Sequence, residues 1–354
     1  MTKTERLIAF KRLGNLLRWL TQKADYDIPT PEERALSEKL QNIIDEYQYS
    51  NPWFDPFHVK YALYAISYML DQTKLENWAN RYNIPEERYN KKTVAVVCAG
   101  NIPAVGFHDF LSVLVSGHRL LLKLSSDDRL LLPWFSEFLQ TLQVGFKDVI
   151  TISENTISGF DAVIATGSDN SSRYFEYYFG KYPHIIRRNR NGIAILDGKE
   201  TQEELLGLAD DIMIYYGRGC RNVSFLLIPD DYDFTSLVGA LQKYSTYVYH
   251  SRFFNNYEYN KAVMLVNGIS FYDTGFMLIT QNPSIQSPLA VLHYQPYKNF
   301  EEIQGFIQIN KDKIQCIVSH IDGIMDKVCF GKTQQPTLGD YADGVDTMKF
   351  LEDL

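Results

Sequence analysis

Residues 93–103 read Thr93-Val94-Ala95-Val96-Val97-Cys98-Ala99-Gly100-Asn101-Ile102-Pro103. A short run of small and β-branched residues, closed by a Gly/Asn/Pro cluster, is the pattern of a buried strand that ends in a tight turn. The spacing then turns helical through Val115, breaks at Gly117 and returns to strand in Arg119-Leu120-Leu121-Leu122-Lys123. A second helical stretch covers residues 130–144. Phe160-Asp161-Ala162-Val163-Ile164-Ala165 is a further apolar strand, ending at Thr166-Gly167-Ser168 and leading into an aromatic-rich helix. Strand, helix, strand, helix, strand predicts a parallel, doubly wound α/β sheet. Such sheets bind ligands beyond the carboxyl ends of their strands. Asn101, Lys123 and Gly167 all stand at or just past such ends.

Residues 1–90 read as helical. Thr30-Pro31-Glu32-Glu33 is a capping box with proline at the first helical position. Asp55-Pro56 opens another helix, in which Val59, Ala62, Leu63, Ile66, Met69 and Leu70 recur at helical spacing. A second α/β unit is expected after Gly192-Ile193-Ala194-Ile195-Leu196. It has a helix from Thr201 to about Tyr216, a strand from Val223 to Ile228, a helix near Phe234–Tyr244 and later strands. The expected division is a helical region 1–90, a cofactor-binding domain 91–196, a catalytic domain 197–330 and a segment 331–354 that folds back across the cleft.

A chain of 354 residues can bury a large core, and its 45% hydrophobic and 22% charged content is ordinary for a soluble globular protein. The net charge of -8 argues against nucleic acid and gives no support to docking on an anionic membrane. Cys98, Cys220, Cys316 and Cys329 form no CxxC pair and no metal-finger spacing, which fits a reducing compartment and no metal site. There is no secretory apolar segment and no apolar run near 20 residues, so a soluble, cytoplasmic chain without membrane insertion is expected.

The stretch most suggestive of chemistry is Tyr216-Gly217-Arg218-Gly219-Cys220-Arg221-Asn222. A thiol is nucleophilic as thiolate, neighbouring cations favour that form, and glycines let a substrate or backbone come close. A small buried hydrophobe in a tight turn is the competing reading, and on this segment alone the commoner one.

The ordered set Gly100-Asn101-Ile102-Pro103, Lys123-Leu124-Ser125-Ser126-Asp127, Thr166-Gly167-Ser168, Gly217-Arg218-Gly219-Cys220 and Gly339-Asp340-Tyr341 resembles the aldehyde dehydrogenase superfamily. Within it the set is most similar to the acyl-CoA reductases of the bacterial bioluminescence type. The resemblance runs from about residue 50 to the C-terminus. It implies two doubly wound α/β domains preceded by a helical region. It also implies NADPH-dependent reduction of an acyl thioester, acyl-CoA or another, to aldehyde.

By that resemblance Cys220 is the nucleophile and Asn101 offers its side-chain amide to the oxyanion. Gly100, Lys123, Ser125, Ser126, Thr166, Gly167, Ser168 and Gly192 belong to the cofactor site. Ser126 stands three residues after Lys123, where many NAD-using relatives carry an acidic residue. A hydroxyl there favours NADPH over NADH, while Asp127 and Asp128 close by oppose it.

The stretch Arg187-Arg188-Asn189-Arg190-Asn191-Gly192 lacks the water-activating glutamate of hydrolytic relatives. Ser284-Ile285-Gln286-Ser287-Pro288 lacks a second, ribose-holding one. Arg187, Arg188 and Arg190 could pair with CoA or cofactor phosphates, or form a solvated loop, with equal weight. His108 and Asp109 are candidates for a proton donor or orienter, with a structural histidine favoured. Cys98, Cys316 and Cys329 are expected to pack. Two alternatives stand: an acyl-phosphate reductase of the glutamyl phosphate type, with Arg218 or Arg221 meeting an acidic substrate, and a non-catalytic relative. Oligomeric state is open, and a homo-oligomer is allowed.

Overall fold

The computed structural model describes residues 1–23 and 30–354, and of Asp169 the backbone alone. Two compact units make up the chain, Met1–Arg188 with Gln335–Leu354, and Asn189–Gln334. The first opens on four helices: α1 (Lys3–Gln22), α2 (Pro31–Ser50), α3 (Pro56–Met69) and α4 (Gln72–Ala79). Their starts follow the sequence signals. Thr30 and Glu33 form the expected capping box with Pro31 in the first turn, and Asp55 Oδ1 accepts from His58 N at 3.2 Å to cap α3.

There follow β1 (Thr93–Val97), α5 (Phe107–Ser116), β2 (Arg119–Lys123), α6 (Leu131–Leu142), β3 (Ile150–Ser153), β4 (Ala162–Thr166), α7 (Asp169–Phe179) and β5 (His184–Arg187). The five strands form a sheet in the order β3-β2-β1-β4-β5, and every pairing is parallel. The doubly wound α/β architecture is therefore present. β1, β2 and β4 are the three strands legible as apolar runs. β3 and β5 are four-residue edge strands with partly exposed positions, too short and mixed to register as apolar runs.

The second unit contains β6 (Asn191–Ile195), α8 (Gln202–Met213), β7 (Val223–Pro229), α9 (Thr235–Leu241), α10 (Ser251–Val266), β8 (Tyr272–Asp273), β9 (Leu278–Gln281), β10 (Val291–Tyr297), α11 (Phe300–Asn310), β11 (Ile314–Val318) and β12 (Lys327–Val328). Its sheet runs β12-β11-β6-β7-β10-β9-β8, parallel throughout except where β8 meets β9. Ile193, Ile195, Phe225, Leu227, Ile285 and Ile303 pack one face of it.

The sequence reading closes the first unit with the strand ending at Leu196. Here that strand is β6, paired with β7 and β11 in the second sheet. Residues 335–354 return to the first unit and end in α12 (Thr347–Glu352). Trp78 Nε1 donates to Tyr341 Oη at 2.7 Å, and Tyr82 Oη donates to Asp346 at 2.9 Å. Among the described residues no helix is long and apolar enough to cross a membrane.

Candidate active site

In the first unit, strand order reverses between β1 and β4, which places a crevice at their carboxyl ends. The chain leaving β1 passes Gly100 and Asn101, the chain leaving β2 passes Lys123 to Ser126, and the chain leaving β4 passes Thr166 to Ser168. Gly100 is set against the β2 loop so closely that a Cβ on it would lie 2.3 Å from Ser125 Oγ and 2.9 Å from Asp127 Cβ. Lys123 Nζ donates to the carbonyl of Glu154. A Cβ on Gly167 would meet Ser171 Cβ at 2.7 Å and the Phe175 ring at 2.8 Å, so glycine lets the first turn of α7 fold back on the strand end. Ser168 Oγ caps that helix, accepting from Ser171 N at 3.3 Å.

The two aspartates of the β2 loop part company. Asp127 is exposed and accepts from Ser126 Oγ at 3.1 Å. Asp128 is buried, and its Oδ2 accepts from Ala104 N at 2.7 Å. Ala104 holds a left-handed φ of 55°, so this bond fixes a strained point in the turn that carries Asn101. Desolvation raises the Asp128 carboxyl to about 6, despite the bonds it accepts.

In the second unit, α8 ends at Met213. Tyr215 and Tyr216 then adopt φ 58°, ψ 26°, and Gly217 φ 72°. Left-handed backbone costs a non-glycine residue about 1–2 kcal/mol, so two consecutive tyrosines there need outside support. Tyr216 has it: its ring centroid lies 4.2 Å from that of Tyr247, 4.4 Å from His250 and 5.7 Å from Phe253. The turn leads to Cys220, whose side chain is exposed.

Beyond the cysteine, Arg221 Nε donates to Thr333 O at 2.5 Å. Asn222, almost fully buried, places its amide under the turn and donates to the carbonyls of Asp211 at 2.9 Å and Ile214 at 2.8 Å. Asp211 is buried too. It accepts from Gly331 N at 2.7 Å and from Thr333 N and Oγ1 at 3.0 and 2.8 Å, and desolvation raises it to about 6. Gly192, grouped by sequence with the cofactor residues, lies against this same turn. Its N donates to Asn222 O at 3.1 Å, and a Cβ on it would sit 2.7 Å from the carbonyl oxygens of Arg221 and Asn222.

The acyl-CoA reductase (LuxC) family model matches residues 65–244, just over half of the 354-residue chain. The chain belongs to this family. Acyl reduction to aldehyde is the reaction class that membership brings, and the chain is an oxidoreductase. No curated protein matches the sequence.

Solved structures agree on the fold. Indole-3-acetaldehyde dehydrogenase AldA of P. syringae, a mutant form in complex with NAD+ and IAA, is similar at TM-score 0.61 and 14% identity, covering 92% of this chain and 74% of its own. Aldehyde dehydrogenase 21 of Physcomitrella patens, in complex with the reaction product succinate, is similar at TM-score 0.62 and 12% identity, with 98% and 84% covered. Proline Utilization A of Corynebacterium freiburgense is similar at TM-score 0.57 and 14% identity. That match covers 90% of this chain, which spans 37% of the larger protein.

Within this family frame, several side chains have roles that sequence alone left open. Arg187 is neither solvated nor available to a phosphate. It is buried, donating through Nη2 to Asp109 Oδ1 at 2.7 Å and to Thr347 Oγ1 at 3.0 Å, and through Nη1 to Asp109 Oδ2. Asp109 is thereby spent on a structural ion pair. His108 pairs with Leu338 O at 3.1 Å between the rings of Trp78 and Tyr341, and desolvation lowers its pKa. This is the structural histidine. Desolvation pushes the Cys98 thiol up, and Cys316 is buried with its Sγ 3.7 Å from Arg221 O. Cys329, expected to pack, is exposed.

Among the described residues, Asp197, Glu200 and His320 bring ligand-type atoms within 4.8 Å of one another. They follow the carboxyl ends of β6 and β11, opposite the end of the sheet where Cys220 precedes β7. His320 meets Asp197 through Nε2 at 2.9 Å and Glu204 through Nδ1 at 2.8 Å. Partial burial lowers its pKa, but those two carboxylates outweigh it and raise the value overall. Both ring nitrogens of His320 are thus engaged by carboxylates.

Proposed function

We propose that this chain reduces an acyl thioester, acyl-CoA in the first instance, to the aldehyde with NADPH, through an acyl-enzyme on Cys220. The observation that carries the reading is the support of the Cys220 turn. Left-handed backbone, a packed aromatic cluster and buried amide bonds all go to hold one exposed thiol in place. Local strain of this kind persists where the surroundings over-determine it, and it clusters at functional sites.

The strand-end face of the first unit fits a dinucleotide. Gly100 lies against the side chains of Ser125 and Asp127, and Gly167 against those of Ser171 and Phe175, where a Cβ would intrude. Lys123 is suited to ribose hydroxyls, Ser125 and Ser126 to a phosphate, and Thr166, Gly167 and Ser168 to the pyrophosphate at the start of α7. Asp128 is turned inward, which leaves Asp127 as the carboxylate opposing a 2′-phosphate. Bound there, the nicotinamide supplies the hydride.

The chain's own residues do the rest. Cys220 attacks the thioester carbonyl as thiolate, and the oxyanion takes hydrogen bonds from its own N–H and from the Asn101 side-chain amide. Such a donor is worth about 3–4 kcal/mol at the transition state. Collapse of the tetrahedral adduct breaks the bond to CoA sulfur, which leaves as thiolate and takes up a proton, with the acyl group on Cys220. Arg187–Gly192 presents no carboxylate to activate water, so the acyl group is kept for reduction rather than hydrolysis. Once the acyl carbon is reduced, Cys220 leaves as thiolate and aldehyde is released.

The test is turnover with acyl-CoA and NADPH, following cofactor oxidation and free thiol together. Equimolar loss of NADPH and release of thiol supports the reading. Phosphate release from an acyl phosphate, with no thiol from any acyl-CoA, favours the glutamyl phosphate type. Cofactor binding without either product favours a non-catalytic relative.

A further inference from the structure

The helix before the nucleophile ends without its usual closure. Two left-handed tyrosines follow the last turn of α8, which leaves C-terminal carbonyls without their next helical N–H. Asn222 fills that gap. Its Nδ2 donates to the carbonyls of Asp211, Ile212 and Ile214 at 2.9, 3.3 and 2.8 Å. The same amide reaches forward, where its Oδ1 accepts from Gly219 N at 2.8 Å, and its backbone N–H donates to Gly219 O at 3.0 Å. Gly219 is therefore gripped by one residue at both its N–H and its C=O.

That grip has a consequence for the next peptide bond. Gly219 C=O and Cys220 N–H belong to one planar trans unit, so they point in opposite directions. With the carbonyl turned toward Asn222, the Cys220 N–H is aimed away from the body of the turn. A Gly219 freed from Asn222 could rotate this unit, because glycine tolerates both signs of φ.

We infer that Asn222 is the positioning residue of the acyl-transfer step: it locks the Gly219–Cys220 peptide so that the Cys220 N–H faces the carbonyl oxygen of the bound acyl group. This rests on the reading of Cys220 as nucleophile. Asn222 touches neither substrate nor cofactor; its side chain holds the turn through the Gly219 N–H and the carbonyls at the end of α8, and so keeps its own backbone N–H on the Gly219 carbonyl. A preorganised donor does its work because it needs no reorientation when charge develops.

The experiment compares two reactions of Cys220 in the full-length protein. Alkylation by iodoacetamide uses the thiol and builds no tetrahedral oxyanion. Acylation by an acyl-CoA, read by mass spectrometry without cofactor, does build one. Asn222→Ala is expected to slow acylation by roughly 100-fold, the lower end for a lost oxyanion donor, while alkylation stays within about threefold. Equal slowing of both reactions overturns the inference, because Asn222 then governs the thiol itself. No slowing of either overturns it too.

Losing several buried hydrogen bonds can unfold the turn. Asn222→Ser, which keeps a short hydroxyl near Gly219, is therefore run beside it with thermal melts, and an intermediate acylation rate is expected. Acylation of the Ser variant at the wild-type rate overturns the proposal. A wild-type protein that alkylates at Cys220 but accepts no acyl group removes the nucleophile reading itself. That outcome is distinct from a wild-type protein that loads normally beside a variant that also does.

Discussion

Replacing Gly192 by alanine puts a methyl group where the structure has two backbone oxygens. The new Cβ would lie 2.7 Å from both Arg221 O and Asn222 O and 3.0 Å from Asn222 C. None of these is the free end of a side chain, so β6 or the residues just past Cys220 must move. Restoring ordinary contact needs a shift of roughly 0.7 Å, and overpacking of this kind costs about 1–3 kcal/mol. The strand bond from Gly192 N to Asn222 O would lengthen with the shift.

Because a misplacement of about 1 Å at a reacting group costs about 100-fold, a shift of roughly 0.7 Å predicts about a 25-fold loss in the rate of Cys220 acylation. Urea unfolding measures the first effect and mass-spectrometric acylation the second. NADPH affinity, followed by fluorescence titration, should not change. A Gly192→Ala protein that loses NADPH affinity but acylates normally would refute the reasoning and return Gly192 to the cofactor site.

The carboxylates of the two units are open to test as well. Asp109→Asn removes the carboxylate charge that pairs with the buried Arg187 guanidinium, and should cost about 3–5 kcal/mol in urea unfolding. A double variant with Arg187→Met should recover much of that loss. Asp211 has a folded pKa raised to about 6, so the folded state holds its proton more tightly than the unfolded chain. Its contribution is thus greatest at low pH and is lost as pH rises from about 4 to about 6. That loss is on the order of 3 kcal/mol, and Asp211→Asn should flatten this window in pH-dependent unfolding. Asp127 stands exposed beside Ser126. Asp127→Ser should therefore raise the NADPH-to-NADH ratio of kcat/KM about fivefold, the effect of removing about 1 kcal/mol of exposed repulsion.

The parallel sheet of the first unit was legible because its three central strands are continuous apolar runs separated by helical spacing and glycine breaks. Capping boxes and Asp-Pro starts likewise located helices α2 and α3 in the N-terminal region. The edge strands His184–Arg187 and Ile150–Ser153 carry no such run, since an edge position buries little. Helix α10 was missed for a different reason. Tyr259, Val263 and Val266 are exposed on it beside Arg252, Asn255 and Glu258, which blurs the apolar period. The strand Asn191–Ile195 was visible, but nothing local says which sheet it joins.

At the candidate site, the glycines and Ser168 could be read from turn and capping chemistry. The roles of Asn222, Asp211 and Arg187 could not. Each depends on partners at least eight residues away, Thr333 for Asp211, Asp109 for Arg187 and the end of α8 for Asn222. Asn222 did carry one local signal: an asparagine two residues past a cysteine in a Gly-rich turn.

The most direct test of the account is to incubate the full-length protein with a panel of acyl-CoAs in the absence of cofactor, digest it and map acyl adducts by mass spectrometry. Cys220 as the acyl carrier predicts stoichiometric acylation there and at no other cysteine, discharged as aldehyde when NADPH is added, and abolished in Cys220→Ala. Absence of any adduct across all chain lengths, in protein that binds NADPH, would contradict it.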